Sequence, residues 1–155
     1  MEPKFVDFPG ASVIGLGKAY SHHNGPLEIP GLWKEFAGYC KSHALSLRRS
    51  FGLCLDEHPA IPKGTGDDFV YVAAIPASGD QAPNAVQYKI LPGRYAVFTH
   101  RGSIADFPKT LQAVWQEWLP ANQDIYRPAA AFEYYDERFD PATNAGEVDI
   151  YVPVK

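Results

Sequence analysis

Glu133 stands inside "FEYYDERF", residues 132–139, with aromatic rings on both sides of it. A carboxylate shielded from water by rings has two chemistries open to it. It can be the countercharge of a bound cation, with each ring adding cation–π attraction of ~0.5–2 kcal/mol. It can also work as an acid or base, because burial disfavours its charged form and pushes its pKa up. Beside a tyrosine hydroxyl, such a group can activate a water or donate a proton. The third reading is structural: a solvated acid on an edge strand, paired with Arg138 or a lysine. If the stretch is a strand, period 2 sets Ala131, Glu133 and Tyr135 on one face and Phe132, Tyr134 and Asp136 on the other.

Other constellations are thin. His22-His23, His43, His58 and His100 do not stand at metal-ligand spacings such as H-x-x-x-H. "GLGKAYS" lacks the G-x-x-x-x-G-K-[ST] order of a phosphate loop, and no G-x-S-x-G occurs. Cys40 and Cys54 do not form C-x-x-C, so free thiols are expected. Asp56-Glu57 and Asp67-Asp68 read as loop charges. No metal and no cofactor is expected.

A net charge of −4 argues against sequence-independent binding to nucleic acid, which needs a basic surface. No apolar run approaches the ~20 residues of a membrane-spanning helix. "MEPKFVDFPG" lacks a secretory apolar region, and a cytoplasmic location follows as the expectation.

The elements that must position Glu133 come in a repeated order. "SVIGLGKAYS" reads as a strand, and a helix follows from Ile29 with Pro30 in its first turn. Trp33, Phe36, Ala37 and Cys40 mark its apolar face. "SFGLCLDE" and "DDFVYVAAIPA" read as strands, and the polar "ASGDQAPNA" as the connection between halves. Then "VQYKILPGRYAVFTHRG" supplies strand material with a turn at Pro92-Gly93. A second helix is expected from Asp106 as N-cap to Pro120, with Phe107, Leu111, Val114, Trp115 and Trp118 on its apolar face. "AAAFEYYDERF" and "EVDIYVPVK" close as strands.

Trp33-x-x-Phe36 matches Trp115-x-x-Trp118, and "DFVYVA" matches "VDIYVP", which aligns Tyr71 with Tyr151. The reading is one α+β domain over 1–155 made of two pseudo-symmetric β-α-β-β units, approximately 5–77 and 86–154. The strands form an antiparallel sheet carrying two helices, with a ligand groove at the centre. Tyr71, Tyr95 and Tyr151 serve either as core or as groove lining. Trp33, Trp115 and Trp118 read as core, with Trp115 also presented to the groove. Phe98 and Phe132 are assigned to packing.

"LPGRYAVFTHRG", the helix ending "WQEWLP", "FEYYDERFD" and "EVDIYVPV", with P-x-L-W-x-x-F and F-x-Y-V-A in the first half, together resemble the GyrI-like small-molecule-binding domain. That module is the effector-binding part of several AraC- and MerR-type transcription regulators. The resemblance implies a central cavity that holds lipophilic cations against a buried glutamate, and Glu133 stands at the matching position. It implies Tyr71, Tyr95, Trp115, Tyr135 and Tyr151 as candidate walls. A helix-turn-helix has no room before Phe5 or after Val154, so a stand-alone form is expected. Two alternatives come with the family. One is hydrolysis of cyclopropane-bearing compounds, with Glu133 as acid or base and Tyr71 or Tyr95 as helper. The other is a partnership with a regulator or with gyrase.

Overall fold

The computed structural model describes residues 2–64, 68–77 and 83–155. Asp67 and residues 78–82 of the expected connection lie outside the described residues. In chain order the strands and main helices are β1 (Lys4–Phe8), β2 (Ala11–Ser21), α1 (Gly25–Ser42), β3 (Ser50–Leu55), β4 (Asp68–Pro76), β5 (Val86–Ile90), β6 (Gly93–Ser103), α2 (Phe107–Gln112), β7 (Ala131–Tyr135), β8 (Phe139–Asp140) and β9 (Ala145–Val154).

These elements gather into two compact units. One is Ala11–Ile90; the other joins Met1–Gly10 to Leu91–Lys155. In the first, the strand order is β3-β4-β2-β5, and in the second it is β7-β9-β6-β1, with β8 beside β9. Every ladder in these runs is antiparallel. Strand order therefore repeats element for element, and the fold is α+β built from two β-α-β-β units. The units differ at their edges from 5–77 and 86–154. Phe5 pairs with Ala96 on β6, and Val86 pairs with Gly15 on β2, so each half borrows its outer strand from across the sequence boundary. Hydrophobic period cannot reveal this, because pairing follows available edges rather than chain order.

In unit 11–90, Leu32, Phe36 and Cys40 recur every fourth residue on α1. They pack on Ile14, Tyr20, Tyr71, Ala73 and Ile75 of the sheet. The helix begins at Gly25 rather than near Ile29, with Pro26 in its first turn and Pro30 inside it. The Asn24 carbonyl accepts the amides of both Leu27 and Glu28, which starts the helix a full turn early. Pro30, inside the helix, gives up the bond its missing N–H would have made and sets its ring against the preceding turn. Lys18 on β2 ties down the outer face of the helix through Glu35, at 2.9 Å.

In the other unit, Phe107 and Val114 cover Ala96, Phe98, Val148, Ile150, Val152 and Val154. The expected regular helix is broken into pieces. A 3-10 turn at Ile104–Asp106 precedes α2, a π-helix runs over Ala113–Trp118, and an α-helical turn over Leu119–Ala121 follows. Ser103 rather than Asp106 supplies the side-chain cap, its Oγ accepting the Ala105 amide at 3.1 Å. Pro120 sits within the final turn and does not end the helix before it. The wide π turn spreads Val114, Trp115 and Trp118 differently from the i, i+3, i+4 spacing of an α-helix.

The registers also correct the internal alignment. The rung Lys18–Tyr71–Cys54 faces the helix of its unit, as Tyr71 belongs to the core beneath α1. In the other unit the helix-facing rung is Phe98–Ile150–Glu133. Tyr71 and Tyr151, aligned by sequence, thus lie on opposite faces of their respective sheets. A slip of one residue in a strand exchanges its faces, and the aromatic match concealed that slip.

Candidate functional site

β7 is short and begins on buried Ala131. Glu133 pairs with Ile150 of β9 and shares its face, the one covered by the helices. Its exposure is 8%, low for an ionisable side chain. The Tyr135 hydroxyl donates to Glu133 Oε1 at 3.0 Å, a contact that the i, i+2 spacing of a strand makes possible. Tyr135 and Trp115, both half-buried, pack against the cluster containing Phe98, Val114 and Ile150. The Tyr135 ring also meets Phe139 edge-on at 5.5 Å. One face of this unit thus carries a shielded carboxylate, a phenol bonded to it and an indole on the overlying π-helix.

Arg138 does not serve as the partner that a surface-acid reading would give Glu133. Its Nη2 donates to Asp149 Oδ2 at 2.7 Å and its Nε to Asp136 Oδ1 at 2.8 Å, while Thr99 donates to Asp149 Oδ1 at 2.7 Å. Asp149, two residues before Tyr151, is on the opposite face from Glu133.

That opposite face also holds Tyr95 and Tyr151. Tyr95 has no exposure, its hydroxyl donates to the Leu91 carbonyl at 2.7 Å, and the Arg127 guanidinium lies 5.1 Å from its ring centroid. Tyr151 stacks on Phe132 at 4.5 Å with the rings 13° apart. Phe8, from β1, completes the cluster at 5.3 to 5.7 Å from Phe132, Tyr95 and Tyr151. Nothing in "KFVDF" marked Phe8, because its role depends on β1 pairing with β6. Tyr71 belongs to the core of unit 11–90, where its hydroxyl accepts from Trp33 Nε1 at 3.0 Å. The candidate walls are therefore divided. Tyr135 and Trp115 share the face of Glu133, Tyr95 and Tyr151 lie behind it, and Tyr71 is in the other unit.

Burial pushes the Tyr151 phenol pKa upward, with Asp149 adding to the effect. The folded state then keeps this proton at a pH where the unfolded chain has lost it. Its stabilising contribution is complete below the unfolded value near 10 and is lost as pH rises through the higher folded value. Urea unfolding of wild type and Tyr151→Phe between pH 8 and 11 is expected to show a shallower alkaline loss of stability in the variant.

Unit 11–90 has a recess of about 230 Å³, lined by apolar Leu16, Leu32, Ile61 and Val86 together with the paired Lys18 and Glu35. Among the described residues no cluster of His, Cys, Asp or Glu could hold a metal ion. None of the described helices is long and apolar enough to cross a membrane.

Comparison with known proteins adds four findings. The model of the GyrI-like small molecule binding domain matches residues 1–155. The chain is 29% identical to the transcriptional regulator BrlR of Pseudomonas aeruginosa over 99% of its own length and 56% of that protein, so it spans about half of this relative. It is 35% identical to the probable transcriptional regulator YgiV of Escherichia coli K12, covering 99% of this chain and 96% of that one. The structure of SAV2435 bound to tetraphenylphosphonium shares the fold, with a TM-score of 0.79 at 18% identity over 100% of this chain and 94% of that one.

Proposed function

The chain belongs to the GyrI-like small-molecule-binding family, and from that membership we propose that it binds lipophilic organic cations, with Glu133 as their charge partner. The observation that carries this reading is a carboxylate 8% exposed on a ring-bearing face. Burial raises the cost of a carboxylate's charge, and a bound cation beside it offsets part of that cost. Tyr135 and Trp115 add aromatic surface, which attracts cations without requiring directed hydrogen bonds. Affinity then comes from charge and stacking, and shape is read loosely. The neighbour solved with tetraphenylphosphonium supports a ligand of this class. Relatives named as transcriptional regulators support an effector-sensing role, with the ligand reporting to a regulatory partner.

Tetraphenylphosphonium and tetraphenylborate have nearly the same shape and opposite charge, so they isolate the electrostatic part. At a concentration 100 times its Kd, a ligand of the folded state adds about 2.7 kcal/mol of stability. For a chain of this size that raises the Tm by roughly 5–10 °C. Tetraphenylphosphonium is expected to produce such a shift and tetraphenylborate none. Equal stabilisation by the two would remove the case for a cation site.

A further inference from the structure

We propose that the Tyr135 hydroxyl sets which cations are accepted, favouring quaternary ammonium and phosphonium ions over protonated amines of the same size. The proposal rests on Glu133 being the charge partner of the ligand and concerns how that charge is presented. Glu133 Oε1 already accepts a hydrogen bond from the Tyr135 hydroxyl at 3.0 Å. The phenol is held there by its surroundings, since its ring packs on the core beneath the helices and against Phe139. Turning it away would break this packing as well as the hydrogen bond.

A protonated amine binds a carboxylate best through short charge-assisted N–H···O bonds of about 2.7–2.9 Å. At Oε1 it has to share the oxygen with the phenol or displace it. A quaternary cation has no N–H to satisfy. It needs only proximity to the charge and contact with aromatic faces, and it leaves the Tyr135–Glu133 bond in place. Tyr135 therefore acts as a positioning residue: it directs the carboxylate and occupies one of the acceptor directions at Oε1 that an ammonium donor would use. Two neighbouring positions of one strand face, Glu133 and Tyr135, would encode both the sign and the donor count of the ligand.

The test uses (biphenyl-4-yl)methyl-trimethylammonium and (biphenyl-4-yl)methylammonium, titrated calorimetrically into the full chain. Wild type is expected to favour the trimethylammonium compound. Tyr135→Phe is expected to shift the affinity ratio about tenfold toward the primary amine, the size of a hydrogen bond to a charged group. A general loss of packing would lower both affinities together and leave the ratio alone. An unchanged ratio in Tyr135→Phe, or a wild-type preference for the primary amine, overturns the proposal. The second of these needs no variant and so survives poor folding of the mutant. If tetraphenylphosphonium binds and the biphenyl ratio behaves otherwise, the cation site stands and the role of Tyr135 falls. If no cation binds at all, both fall together.

Discussion

Exchange of Glu133 for glutamine is expected to weaken tetraphenylphosphonium binding by ~1–3 kcal/mol, the worth of a charged partner in a site shielded from water. Glutamine keeps the volume of the side chain, and its amide oxygen can still accept from the Tyr135 hydroxyl that Glu133 Oε1 now engages. The change is thus close to a removal of charge alone. Triphenylphosphine oxide, neutral and similarly greasy, is expected to lose little. Paired titrations of the two compounds into wild type and Glu133→Gln measure the difference. Stability should change little, because the substitution keeps the side chain's volume and its hydrogen bond from Tyr135. A parallel loss for both compounds would show that Glu133 shapes the site without charging it.

The neighbouring residue gives the opposite phenotype. Phe132 is 1% exposed, stacks on Tyr151 and lies within 5.6 Å of the ring centroids of Phe8 and Tyr95. Phe132→Ala is expected to cost ~3–5 kcal/mol of stability, because the three remaining packed rings cannot close around the void. It faces away from Glu133, so affinity for tetraphenylphosphonium in the folded fraction should stay within about threefold of wild type. Urea midpoints and calorimetry on the same samples separate the two quantities. Loss of affinity without loss of stability would mean that the faces of β7 have been exchanged.

Period 2 was enough to place Glu133 with Tyr135 and against Phe132, since alternation is a property of any strand. The helices were legible from Trp33-x-x-Phe36 and from Val114, Trp115 and Trp118, although the π turn was not, as nothing in "AVWQEW" distinguishes it from an α-helix. What could not be read was which face of each sheet receives its helix. Tyr151 and Tyr71 have the same side chain and similar neighbours in sequence, yet register turns one toward its helix and the other away. The competing claim of Arg138 was likewise undecidable, because its partner Asp149 is brought to it by the pairing of β8 with β9, while Asp136 stands only two residues away. Contacts fixed by pairing across a long loop leave no local trace. Contacts fixed by spacing along one strand do.

The exchange of outer strands has a consequence for how the protein is made. Residues 11–90 are contiguous, so that unit can close its ladders as soon as Ile90 has emerged. The unit bearing Glu133 cannot, since among the described strands β1 precedes all the others and β9, which pairs with β6, β7 and β8, follows them. At ordinary translation speed, Phe5 and Phe8 wait on the order of ten seconds for the strands they join. Synthesis thus completes the half without the acid first, and the half with it only after β9 has emerged.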